Sequence, residues 1–104
     1  MLSAEEAFEK SKQKLEDTVQ TIDELLELDK KIKDAVDKGY FCTHSEPMLP
    51  VKAEKLAIEV EEYGFSCGVQ GTGMIDAEKN PLVVVYVNWK FKPFNTRIKQ
   101  PESV

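Results

Sequence analysis

Cys42, Thr43 and His44 bring a soft thiol close to the sole histidine of the chain. A zinc site there would need two further ligands, with Cys67 and a carboxylate such as Glu46 as candidates. Neither a Cys-x-x-Cys nor a His-x-x-x-His spacing supports it. A Cys42 nucleophile activated by His44 is set aside on the expectation that the two side chains diverge along an extended segment. Gly68-Val-Gln-Gly71-Thr-Gly73 superficially matches a phosphate-binding glycine pattern. Such a loop follows a strand and opens a helix, whose N-terminus supplies the positive end, whereas these glycines lead into a hairpin and no Gly-Lys-Ser/Thr follows. The carboxylate pairs Glu61-Glu62 and Asp23-Glu24 belong to helix surfaces and read as solubilising charge, because catalytic pairs converge in a cleft. No catalytic residue, metal ligand or cofactor is assigned, and the chain is read as a non-enzyme.

The strongest remaining chemistry lies in VVVYVNWKFKPFNTRIK, residues 83–99. Trp89, Phe91 and Phe94 interleave with Lys90, Lys92, Arg97 and Lys99, a recipe for stacking on a base while neutralising a phosphate. Strand alternation divides the set. Trp89 and Phe91 share a face with Val85 and Val87, while Lys90 and Lys92 share the other with Asn88. The aromatics then continue a core and the lysines form a solvent-facing or edge-protecting row. The candidate surface for an anion or an acidic partner is Lys90, Lys92, Arg97 and Lys99, with Trp89 or Tyr40.

The elements that must position these residues follow from the rest of the pattern. At 104 residues the chain fits one domain with a modest core, and its 41% hydrophobic and 32% charged content suits a globular or partly coiled-coil protein. A net charge of −5 argues against general affinity for double-stranded nucleic acid. Residues 1–39 carry 11 acids and 7 bases, while residues 88–99 carry four bases and no acid. The sequence has neither a transmembrane run nor the basic-then-apolar start of a signal peptide, so a membrane-free, reducing intracellular setting is expected, with Cys42 and Cys67 as free thiols.

Residues 3–38 predict helix. Ser3 with Glu6 fits a capping box, and Gly39 is placed to end the run in a left-handed conformation. Leu15, Val19, Ile22 and Leu26 follow the 4-3-4 spacing of one face, and Leu25, Leu28, Ile32, Ala35 and Val36 continue it after a rotation. That rotation, with Thr18 and Thr21, leaves room for a kink or a break into two helices. Unbroken, the helix would be about 50 Å long at 1.5 Å per residue, more than the other residues can cover. It therefore folds back or packs on another copy, with Leu15, Val19, Ile22, Leu26 and Ile32 as the assembly residues. Residues 40–48 read as a connector, Pro50 to Tyr63 as a second helix with Ala53, Leu56, Ala57, Val60 and Tyr63 inward, and Phe65 to Gln70 as a strand. GTGMIDAEKNP reads as a hairpin loop, and Leu82 to Phe91 as a strand covered on both faces, by helices or by a partner subunit.

The fold class is thus α+β: a long N-terminal helix or helical hairpin, then a helix packed on a two-stranded antiparallel hairpin that oligomerisation completes. Residues 1–39 form the assembly element, 40–92 the helix-plus-hairpin unit, and 93–104 a basic, loose tail. Ala4 to Ala7, Ile32 with Ala35 and Gly39, Leu56, Tyr63-Gly64-Phe65 and Val87-Asn-Trp89 together resemble the layout of a group of short proteins encoded by tailed bacteriophages. The chain departs from that layout where its aromatic precedes the glycine and where a basic tail follows the tryptophan. The resemblance implies a small non-enzymatic phage product in the virion or the host cytoplasm, and transfers no catalytic residues. The expected function is an interaction protein that self-associates through its N-terminal helix and binds another macromolecule, a virion component or host factor. The alternative is a binder that sequesters a nucleotide-like anion at a subunit interface.

Overall fold

The computed structural model describes residues 1–90, in which helices α1 (Ala4–Thr18), α2 (Ile22–Asp37) and α3 (Pro50–Glu61) accompany strands β1 (Cys42–His44), β2 (Ser66–Ile75) and β3 (Pro81–Asn88). The chain order is α1, α2, β1, α3, β2, β3, and the fold is α+β. The expected tail, residues 93–104, lies outside the described residues, as do Phe91 and Lys92.

The first helix starts as its sequence dictates. The Ser3 hydroxyl accepts from the Glu6 backbone N–H at 3.1 Å, and the Glu6 carboxylate accepts from the Ser3 N–H at 3.0 Å. It stops at Val19, whose backbone is extended. Thr18 bends its hydroxyl back to the Lys14 carbonyl at 2.7 Å, a contact that competes with the regular helix ladder. Thr21 then fixes the break. Its hydroxyl donates to Glu59 Oε1 at 2.5 Å and accepts from Lys55 Nζ at 3.1 Å, while Lys55 also donates to Glu59 Oε2 at 3.1 Å. Thr21 is buried by this contact and Lys55 nearly so. The N-terminal segment therefore takes the broken form: α1 and α2 each pack on α3, and not on each other.

Helix α2 ends in a Schellman turn. The Tyr40 N–H reaches the Ala35 carbonyl at 2.9 Å and the Gly39 N–H reaches that of Val36 at 3.0 Å, with Gly39 at φ 83°. Only glycine holds that conformation without cost. The following segment differs from the expected connector. Residues 41–48 run beside β3: β1 pairs with it antiparallel, Ser45 donates to the Val85 carbonyl at 2.9 Å, and Met48 and Val83 exchange both bonds at 2.8 Å. The sheet thus has three strands in the order β1-β3-β2, not two.

Strand β2 is also longer than its apolar alternation suggested. The glycines expected in a hairpin loop lie within it, with a register irregularity between Gly71 and Ile75. The turn itself is short. Asp76 Oδ1 accepts from the Glu78 and Asn80 N–H groups at 2.9 and 2.8 Å, and Lys79 takes a left-handed φ of 67°. Leu28, Met48, Ala53, Leu56, Val60, Val85 and Val87 form one core between α2, α3 and the sheet. Tyr63, expected on the inward stripe of α3, lies past the helix end and is exposed. The helices cover one face of β3 only. Val83, Val85 and Val87 meet them, while Tyr86 on the other face is exposed in the single chain, so helices do not supply the second cover expected of this strand.

Glu59→Ala strands the Lys55 ammonium in a nearly dry site, and should cost about 2 kcal/mol in denaturant unfolding. Adding Lys55→Met should recover most of that loss; no recovery would show that the network is not what holds α3 to the helix break. The Lys52 ammonium, bonded at 2.6 Å, holds the Glu24 carboxyl below its ordinary 4.5. Lys31 does the same for Glu46, and for Asp76 the Asn80 backbone N–H heads several donors that hold it below 3.8. Depressed folded-state values mean that these groups stabilise the fold above the unfolded values and lose that contribution as pH falls through the folded ones. The melting temperature should therefore hold steady from neutral pH down to about 4.5 and fall below it, and Asp76→Asn should flatten the fall.

Candidate interaction surface

The residues expected to drive assembly separate at the helix break. Leu15 on α1 and Val19 just after it are half-buried, and Ile32 packs against the core from α2. Ile22 and Leu26 point outward and are 65% and 59% exposed. The reason is rotational. Leu28 and Ala35 mark the buried line of α2, with Leu25 and Ile32 beside them, and Ile22, Leu26 and Val36 lie further round the same apolar arc. The arc is wider than the core covers.

A groove of about 300 Å³ runs between this arc and the end of α3, lined by Leu25, Leu26, Ile32, Val60, Tyr63 and Phe65. Tyr63, at 74% exposed, stands on its rim. A second, larger cleft of about 680 Å³ opens between α1, α3 and β2, with Phe8, Leu15, Val51, Ile58 and Val69 among its walls. The Lys12 ammonium, 2.5 Å from a Glu62 carboxylate oxygen, ties α1 to the end of α3 beside this cleft. Sequence reasoning missed the second cleft because it left the helix break open and so gave α1 no place relative to α3 and β2.

Of the expected anion surface, Tyr40, Trp89 and Lys90 are among the described residues. Trp89 sits edge-on to Phe65 at 5.8 Å between ring centres, as part of the core margin. Lys90 lies over the Phe41 ring at 6.0 Å, and Tyr40 is exposed at the end of the α2 turn. Lys92, Arg97 and Lys99 lie outside the described residues. The β1 motif needs a correction of another kind. Cys42 and His44 are two apart in a strand and therefore share a face, opposite Asn88 and Tyr86 of β3. Divergence is no ground for separating them. What occupies His44 is its own neighbourhood: Nδ1 lies 2.9 Å from the Ser45 carbonyl. Among the described residues no group of three or more His, Cys, Asp or Glu is placed to hold a metal ion, and no helix is long and apolar enough to cross a membrane.

The two thiols differ sharply. Burial, and secondarily the charge of Glu61, push Cys67 up to about 12, whereas Cys42 is exposed on β1. Alkylation of the native protein near neutral pH should therefore label Cys42 and spare Cys67 until unfolding, as read by peptide mass mapping. Equal labelling rates would mean that the β2 side of the core is open.

Comparison of the chain with protein-family models, with curated proteins and with solved structures returned no match.

Proposed function

We propose that this chain is a non-enzymatic interaction protein, of the kind small tailed-phage products supply, which self-associates through its N-terminal helical region and binds a macromolecular partner in the virion or the host. The carrying observation is the uncovered apolar arc of α2. Ile22, Leu26, Asp29, Lys33 and Val36 follow 4-3-4-3 spacing along its outward side, and all five are exposed. Three are apolar, and the other two already pair along the helix, with Lys33 Nζ 2.9 Å from Asp29 Oδ2.

That order suits a second copy running antiparallel. Leu26 would meet Val36 of the second copy, and Asp29 would meet its Lys33, with the same contacts repeated by symmetry. An isologous seam of this kind needs one surface that complements itself, and opposite charges at its centre fix the register. The anion-binding reading has less support, because Trp89 and Lys90 have separate aromatic partners.

Light scattering across a concentration series tests the reading. Ile22→Asp with Leu26→Asp should raise the dissociation constant of the α2 contact at least about tenfold, near 1.4 kcal/mol, with the circular dichroism unchanged. Unaltered assembly in this double variant would remove α2 as the seam. A melting-temperature rise of several degrees with a nucleotide would favour the anion binder instead.

A further inference from the structure

The backbone of β3 settles which way the backbone of β2 points. Val83 and Val85 direct their hydrogen bonds to Met48 and Ser45, and Trp89 donates to the Phe41 carbonyl at 3.0 Å. The odd-numbered residues of β3 thus serve the β1 side. In an antiparallel ladder alternate residues serve opposite sides, so Val84, Tyr86 and Asn88 serve β2, where their partners are Gln70, Gly68 and Ser66. The intervening Cys67, Val69 and Gly71 must then turn their N–H and C=O groups to the outer edge. No described residue pairs with that edge.

From Ser66 to Gly71, before the register irregularity, this edge lacks the usual protection. Natural edge strands are blunted by lysine, proline, a bulge, a charge turned inward or a covering element. SCGVQGTGMI, the whole of β2, contains no charge and no proline. Val69 is 37% exposed, and the cleft beneath α1 reaches this strand at Cys67, Gly68 and Val69. Helix α1 has no buried side chain and touches only α3 among the elements.

We propose that β2 pairs edge to edge with β2 of a second copy, antiparallel and centred on Val69. The proposal rests on the self-association reading above and adds a second seam to it. In this register Val69 faces Val69 of the second copy, and Cys67 faces its Gly71. These are the residues whose backbone groups point outward in both chains, so each facing pair exchanges both of its hydrogen bonds. A register shifted by one residue would oppose outward groups to inward ones and lose the ladder. Gly71 opposite Cys67 keeps side chains from crowding, and an uncharged strand meets its own copy without repulsion. The two-fold axis stands perpendicular to the sheet, so both helical layers lie on one side. Phe8 and Leu15 of each copy then border a shared space over the seam. The occupant is a second copy rather than a foreign strand because the strand complements itself in register, in side-chain size and in charge.

Two different isologous seams on one chain build a closed tetramer or an open filament rather than a dimer. Light scattering of the wild type, of Val69→Lys, of Ile22→Asp with Leu26→Asp, and of the triple variant separates them. The expected results are an assembly larger than a dimer, two dimers, and a monomer. Val69→Lys with unchanged mass overturns the β2 seam and leaves the α2 reading standing. Unchanged mass in the α2 double variant does the reverse, and a monomeric wild type at high micromolar concentration overturns both. Because a variant at an edge can also disturb folding, a cross-link provides the second measurement. In a Cys42→Ser background, Val69→Cys should form a disulfide-linked dimer under mild oxidation, since directly facing hydrogen-bonded residues lie about 5.5 Å apart at Cα. Gln70→Cys, on the other face and offset from its own copy, should not. Equal cross-linking at both positions, or none at Val69→Cys, overturns the proposed register.

Discussion

Strand β3 is the constraint on which the other elements depend. It lies between β1 and β2, so both outer strands take their register from it. Its alternate side chains Val85 and Val87 have no solvent exposure and form the floor on which α3 packs through Ala53, Leu56 and Val60. Full burial of one such side chain contributes about 1.5–3 kcal/mol, and a strand this apolar needs no other instruction to become the centre of the sheet. The same residues decide the polar geometry. Because Val83 and Val85 spend their backbone groups on residues 45–48, the outer edge of β2 is left with the groups of Cys67, Val69 and Gly71. One alternation thus sets both the core and the free edge.

The second constraint is the polar contact at the helix break. Thr21, Lys55 and Glu59 join α3 to the point where α1 and α2 separate, in a site with little water. A buried ammonium costs several kcal/mol unless its donors are met, so the network tolerates few alternative placements of Thr21. Its contribution is one of position more than of stability. It turns the apolar stripe that begins at Leu15 and Val19 away from the one that continues at Ile22 and Leu26, leaving the first pair half-buried and the second on the surface.

Local chemistry was legible in the sequence, and pairing over distance was not. Ser3 with Glu6, Gly39 and Pro50 each act within a turn or so of their own position, and each does in the structure what its residue type implies. Strand β1 escaped notice because Cys-Thr-His has no apolar alternation; it is a strand because β3 lies beside it. The extent of β2 was hidden by Gly71 and Gly73, which read as turn residues yet are tolerated in an edge strand. Lys55 and Glu59 have the spacing of an ordinary surface ion pair, and only the arrival of Thr21 from another helix makes them a buried one. Of the candidate anion surface, the alternation correctly separated Trp89 from Lys90, but nothing local indicated that Phe65 and Phe41 would be their partners.

Sheet width explains why apolar surface remains. Strands lie about 4.8 Å apart, so three of them span about 10 Å between the outer axes, whereas packed helices sit 8–10 Å from one another. One helix fills such a sheet. Helix α3 takes that place, touching both β2 and β3, while of its neighbours α2 reaches only β1 and α1 reaches no strand. Each flanking helix can bury only the side turned toward α3 and the sheet. Ile22 and Leu26 on α2 stay on the surface, and Phe8 and Leu15 on α1 are half-buried beside a cleft that the edge of β2 closes only in part. A wider sheet is the one change that would place strands there. On the β2 side the uncharged edge offers the means to widen it, whereas on the β1 side the sheet ends in a strand of three residues and the cover must come from a helix. The two flanks of the molecule therefore call for different kinds of partner surface, even when the partner is the same chain.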